Sequence, residues 1–208
     1  MKTKYNTILK SIIMNATPFK SNFQAPTSIL SYAFIVLFLF SACADDDTPP
    51  TQIDEEEVIT TLVVTLVNNN TSEQIELRSQ DLDGDGPNAP IIEVTGSLSV
   101  ASIYTGTIEL LNETVTPADN IHEEVQAEGA EHQFFYTQGG GLNLSTQYSD
   151  VDNNGNPIGL AFTLATTAPG QGTLTFTLRH EPLKPNDGSL SGAGGATDIS
   201  VTFPVTVE

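Results

Sequence analysis

Beyond residue 57 the apolar residues come in short runs interleaved with polar ones, and Gly, Asn, Asp or Pro stands between one run and the next. A period of two puts alternate side chains on opposite faces of an extended strand, so one face can be buried while the other stays wet. Val58-Ile59-Thr60-Thr61-Leu62-Val63-Val64-Thr65-Leu66-Val67 is rich in β-branched residues, which suit a pleated, half-buried surface. Asn68-Asn69-Asn70-Thr71 reads as a turn, and residues 74–78 as the returning strand of a hairpin. Further strands are expected over 91–98, 102–112, 133–137, 142–149, 159–166, 172–180 and 198–207. Within one of them Thr173, Thr175 and Thr177 point one way and Leu174, Phe176 and Leu178 the other. Short strands separated by turn residues predict an all-β fold, a two-sheet antiparallel sandwich of Ig-like or jelly-roll-like kind.

One short helix is expected around 117–128. Thr116 offers a capping hydroxyl before Pro117 at the first helical position, and Asp119 follows in the first turn. Gly129 can close the helix in a left-handed cap. Ile121 and Val125, four apart, would face the sheet, while His122, Glu123, Glu124 and Glu128 would mostly face water.

Charge divides the chain. Of its 208 residues, 7 are Lys or Arg and 26 are Asp or Glu. Lys2, Lys4, Lys10 and Lys20 precede Cys43, every acidic residue follows it, and only Arg78, Arg179 and Lys184 are basic beyond it. So acidic a body lacks the clustered cations that phosphate contacts need, and no nucleic-acid partner is expected. Electrostatic docking on anionic lipid is disfavoured for the same reason.

Residues 29–40, ILSYAFIVLFLF, are too few to span a bilayer comfortably and suit the core of a signal peptide behind a basic leader. Met14 is a second candidate start within that leader. Leu39-Phe40-Ser41-Ala42 then leads into Cys43, the one cysteine of the chain. Small residues before a Cys at the end of an apolar run resemble the bacterial lipobox, with Phe40 where Leu is usual. The resemblance implies diacylglycerol attached to the Cys43 sulfur, cleavage before it, and acylation of the new amine by a palmitate-like chain. Several acyl chains anchor stably where one binds only marginally. Residues 1–42 would then be a lipoprotein signal peptide, 43–54 an acidic, Pro-rich tether and 55–208 the folded domain. Asp45-Asp46-Asp47 resembles the signal that sends Bacteroidota lipoproteins to the cell surface. The expected place is the outer membrane, by lipid anchor, on the cell surface or on the periplasmic face.

Two loops carry alternating acids. In Asp81-Leu82-Asp83-Gly84-Asp85-Gly86 the carboxylates of Asp81, Asp83 and Asp85 could converge on one calcium ion, with Gly allowing the sharp turn. Asp150, Asp152 and Asn154 repeat the pattern in Asp150-Val151-Asp152-Asn153-Asn154-Gly155. Neither loop has the Glu at the twelfth position of an EF-hand: Ile92 and Ala161 stand there. The competing expectation is that these are turn residues bonding their own backbone. His122, His132 and His180 match no zinc spacing and are expected as surface or capping residues. Arg179 and Lys184 are expected to pair with nearby carboxylates rather than to receive an acidic partner. Gly139-Gly140-Gly141 lacks the Lys of a phosphate loop, no nucleophile elbow occurs, and no catalytic residues are expected.

Cys43 with its Asp triplet, Glu55-Glu56-Glu57-Val58-Ile59-Thr60-Thr61, Asp81-Leu82-Asp83-Gly84-Asp85-Gly86, Ile108-Glu109-Leu110-Leu111-Asn112-Glu113, Glu131-His132-Gln133-Phe134-Phe135-Tyr136 and Arg179-His180-Glu181-Pro182 together resemble a family of Bacteroidota lipoproteins. That family is labelled "type 1 periplasmic binding fold superfamily protein". The label implies a two-lobed α/β binding protein, whereas the residues here carry one helix and no βαβ rhythm. The functional expectation is a non-enzymatic, lipid-anchored envelope lipoprotein serving as a binding or accessory module. Its partners would be the membrane through its lipid and an outer-membrane transporter or receptor. The alternatives are a periplasmic binder of a small ligand and a calcium-stabilised surface or adhesion module.

Overall fold

The computed structural model describes residues 57–84 and 86–208. The readings made for the leader, Cys43, the tether and Asp85 lie outside the described residues. The elements run β1 (Thr61–Asn68), β2 (Gln74–Gln80), β3 (Ile91–Val94), β4 (Ile103–Leu111), α1 (Ile121–Ala127), β5 (His132–Gly140), β6 (Asn143–Tyr148), β7 (Ala161–Ala168), β8 (Gly170–His180), α2 (Leu190–Ala193) and β9 (Ala196–Val207). The strands form two antiparallel sheets, one ordered β3-β2-β1-β4-β7-β6 and the other β5-β8-β9. The expected all-β sandwich is therefore the fold. No helix among the described residues is long and apolar enough to cross a membrane.

Alternation decides which side chains enter the core. From β1, Leu62, Val64 and Leu66 point inward; from β8, Leu174, Phe176 and Leu178; from β9, Val201, Phe203, Val205 and Val207. These belong to one cluster fed by both sheets, and Ile121 and Val125 join it from α1. Burying each such side chain contributes roughly 1.5–3 kcal/mol relative to leaving it in water. Phe176 touches the aromatic rings of Tyr136, Phe162 and Phe203, with centroids 5.6, 5.8 and 6.0 Å away. Such offset or edge-on contacts suit the ring quadrupoles. Pro204 can sit in β9 because that strand ends its sheet.

Several boundaries differ from the sequence expectation, each for a non-local reason. The third strand stops at Val94 rather than running to Leu98. Leu98 changes partner: its N–H donates to Thr206 O and its carbonyl accepts from Glu208 N, beside the end of β9. Thr116 and Pro117 do not start the helix, which begins after Asn120. Asn112 and Asp119 exchange backbone hydrogen bonds, which holds Asp119 in an extended bridge. Gly129 is not in the left-handed region, and the helix ends instead at Glu128 with φ −97°. Gly129 is small for packing, since a Cβ there would lie 2.6 Å from Ile158 Cδ1. The one-turn helix α2 was not expected; Ser189 caps it by accepting from Gly192 N.

Gly106 shows how closely the strands are fitted. It lies opposite Phe162 in the β4–β7 register, and the Phe162 ring covers it. A Cβ at Gly106 would sit 2.3 Å from that ring. Gly106→Ala is expected to lower stability by about 1–3 kcal/mol, seen as a lower urea midpoint at unchanged slope. Adding Phe162→Leu should recover part of that loss, so the two substitutions together cost less than their sum.

Candidate functional site

The antiparallel register of β5 and β8 places His132 directly across from His180, with ring centroids 4.8 Å apart and planes at 77°. β9 lies on the far side of β8 and carries a bulge. Leu178 pairs with Ile199 but Arg179 pairs with Thr197, so Asp198 is the extra residue. A bulge turns a side chain out of its regular alternation. Here it brings Asp198 to the two histidines. Glu57 arrives from the chain ahead of β1, and so from the other sheet.

These four side chains form one cluster whose donor atoms all lie within 4.8 Å of one another. Each carboxylate turns one oxygen to each imidazole. Glu57 Oε1 is 2.8 Å from His132 Nε2, and Glu57 Oε2 is 3.7 Å from His180 Nδ1. Asp198 Oδ2 is 3.9 Å from His132 Nε2, and Asp198 Oδ1 is 3.9 Å from His180 Nδ1. The side chains of His132, Asp198, Glu57 and His180 are 0%, 1%, 7% and 10% exposed. Within the other sheet end, His132 Nδ1 lies 3.2 Å from the carbonyl of Glu128, at the C-terminus of α1. A carbonyl only accepts, so Nδ1 carries the proton. Among the described residues this is the one group of three or more His, Cys, Asp and Glu with metal-ligand spacing.

Of the three histidines expected as surface or capping residues, His132 and His180 are buried, and sequence spacing could not show that they meet. A signal did exist. His180 continues the inward series Leu174, Phe176, Leu178, and His132 shares the face of Phe134. His122 stays partly exposed and contacts the Ile108 carbonyl through Nδ1 at 2.7 Å.

The two acidic loops are placed apart from this cluster. In the first, Asp83 accepts from Asn88 Nδ2 at 2.7 Å and from Asn88 N at 3.3 Å. Asp81 and Asp83 line a shallow groove with Leu82, Asn88, Ala89 and Ile91. In the second, Asp150 accepts from the backbone N–H groups of Gly159, Leu160 and Ala161 at 2.8–3.2 Å. Asp152 Oδ1 accepts from Asn154 N at 2.8 Å and Asn156 N at 2.9 Å, while the Asn154 side chain is exposed. Asp83, Asp150 and Asp152 thus accept from the backbone of their own loops, as turn acids do.

The few cations of the body are engaged within it. Arg78 meets Glu113 at 3.3 Å, and Arg179 donates to Thr197 Oγ1 at 2.5 Å. Lys184 is buried, with Nζ donating to Gly129 O at 2.6 Å, Pro157 O at 2.8 Å and Asp152 Oδ2 at 3.4 Å. One ammonium thereby ties α1, the second acidic loop and the 181–188 loop together. Burial pushes the Lys184 ammonium below its ordinary value, and Asp152 offsets part of that. Burial pushes the Asp152 carboxyl up, but the N–H groups of Asn156 and Asn154 and the Lys184 charge outweigh it and hold it low.

No family model matches the chain, and no match is found among the curated proteins or the solved structures.

The sign of the Asp152 shift fixes a pH dependence. A carboxyl held low in the folded state binds its proton more weakly there than in the unfolded chain. Its stabilisation is complete above the ordinary carboxylate range, about pH 4, and is lost as pH falls through the lower folded value. Asp152→Asn should flatten that acid limb in a pH series of urea unfolding. Lys184→Met leaves a buried carboxylate and two carbonyls without their shared donor and should cost roughly 2–4 kcal/mol at neutral pH.

Proposed function

We propose that this chain is a lipid-anchored lipoprotein of the bacterial outer membrane, whose β-sandwich serves as a non-catalytic binding or accessory module beside a membrane transporter or receptor. The observation that carries this reading is Cys43, the one cysteine, standing behind Ser41-Ala42 at the end of the apolar run 29–40. A thiol so placed is where diacylglycerol is attached in lipoproteins, and multiple acyl chains hold a protein on a membrane without any spanning helix. The Pro-rich segment Thr48-Pro49-Pro50-Thr51 supplies the spacer between the anchor and the folded domain in this reading. The Asp45-Asp46-Asp47 triplet supports export to the cell surface, and the excess of acids keeps the body soluble there. The resemblance to Bacteroidota binding lipoproteins supports a binding role.

The test is direct. Cells growing on labelled palmitate should transfer label to the wild-type chain and none to Cys43→Ser. The wild type should sediment with outer membranes, and Cys43→Ser should not. An unlabelled wild type, or a Cys43→Ser chain that still sediments with membranes, removes the lipoprotein reading. Crosslinking in intact cells should then join the wild-type chain to an envelope transporter or receptor. Crosslinks confined to abundant bystander proteins remove the accessory role.

A further inference from the structure

We propose that Glu57, His132, His180 and Asp198 form a structural site for one divalent transition-metal ion of the zinc class, which staples the two sheets together at one end.

Charge comes first. Two carboxylates and two neutral imidazoles sum to the charge that one divalent ion cancels. Without a cation, two carboxylates would share a site almost closed to water, which is costly. The fixed tautomer of His132 sharpens this. Its Nδ1 proton goes to the Glu128 carbonyl, so a neutral ring presents the Nε2 lone pair to the cluster. Glu57 Oε1 lies 2.8 Å from that nitrogen but off the direction of its lone pair. Orientation of a ligating imidazole by a carbonyl on its other nitrogen is the usual outer-shell arrangement of metal sites.

Geometry agrees. Although Glu57 Oε1 and His132 Nε2 are close, His132 Nε2 makes no hydrogen bond, and neither does Glu57 Oε2. The ring axis misses the nearby oxygen, so an ion-paired imidazolium would gain charge attraction but not the directional bond. Both side chains are more than nine-tenths buried and face the same cluster. Bonds of 2.0–2.2 Å around a tetrahedral ion put neighbouring donors about 3.3–3.6 Å apart. One donor atom from each of the four residues lies within 4.8 Å of the other three, and the carboxylates approach the imidazoles at 2.8–3.9 Å, each through both of its oxygens.

Donor type selects the ion. Two imidazoles with two carboxylates suit zinc and its first-row neighbours, whereas calcium prefers six to eight oxygens. Four protein donors fill a tetrahedral shell and leave no open position, which makes the site structural rather than catalytic. Three ligands come from the β5-β8-β9 sheet and the fourth from the chain leading into β1 of the other sheet. In a chain with one cysteine, such an ion does the cross-linking that a disulfide cannot.

The experiment uses the full chain in detergent, free of any oligohistidine tag and stripped with chelator. Zn²⁺ alone should bind at one ion per chain and raise the melting temperature by about 5–10 °C at saturation. Asp198→Asn and His180→Gln should each weaken Zn²⁺ binding at least ~10-fold, while Asp83→Asn, in the first acidic loop, should leave it unchanged. Co²⁺ in the wild type should give the intense visible absorption of a tetrahedral centre, a readout that holds even if a variant fails to fold. No Zn²⁺ uptake, a weak octahedral Co²⁺ spectrum, undiminished binding by Asp198→Asn, or equal loss of binding in Asp83→Asn would each overturn the assignment.

Discussion

The inner faces of a six-stranded and a three-stranded sheet must be covered by each other, and that requirement organises the molecule. Phe176 sits at the meeting point, against Tyr136, Phe162 and Phe203. Its position is set by β8, the middle strand of the narrower sheet, which pairs with β5 on one side and β9 on the other. Because both partners are bonded to β8 along nearly its whole length, any residue near its end is placed with little freedom. His180 is that residue. The hydrophobic effect supplies the driving force but has no direction; the hydrogen-bonded register converts it into defined positions.

Polar groups at the rim of this core fall into two kinds. Those of the second acidic loop are satisfied locally. Asp150 receives three backbone N–H groups, and Asp152 receives two together with the buried Lys184 ammonium. They stiffen a turn and hold α1 against it. The Glu57, His132, His180 and Asp198 group is the other kind. It draws its members from four separate stretches of chain, and their donor atoms lie within 4.8 Å of one another. A cluster assembled from so far apart in sequence and so shielded from water acts on the tertiary structure, whereas the acidic loops act on their own turns.

Much of the sandwich was legible because strand formation is a local matter of period and turn residues. The alternation in Leu174, Phe176 and Leu178 against Thr173 and Thr175 placed the core face correctly, and Ile121 with Val125 gave the buried stripe of α1. The helix start was misjudged because Thr116-Pro117 has all the local signs of a cap, while the bridge between Asn112 and Asp119 is a distant pairing. The exposed stretch after Val94 was assigned to one strand when it changes partners midway. The histidine cluster was half legible. Parity carries His132 and His180 inward, but parity carries Asp198 outward, since the buried positions of β9 are Val201, Phe203, Val205 and Val207. One extra residue at the bulge reverses it.

The sequence by itself determined the strand-rich architecture, the acid excess beyond Cys43, and the single thiol placed behind an apolar run, because each is a property of neighbouring residues. Only the tertiary structure decided that two strand-end histidines, a bulged aspartate and a glutamate ahead of β1 share one buried space. Their meeting rests on pairing register and sheet-to-sheet packing, which are set by the whole chain burying its apolar faces at once and by no local spacing.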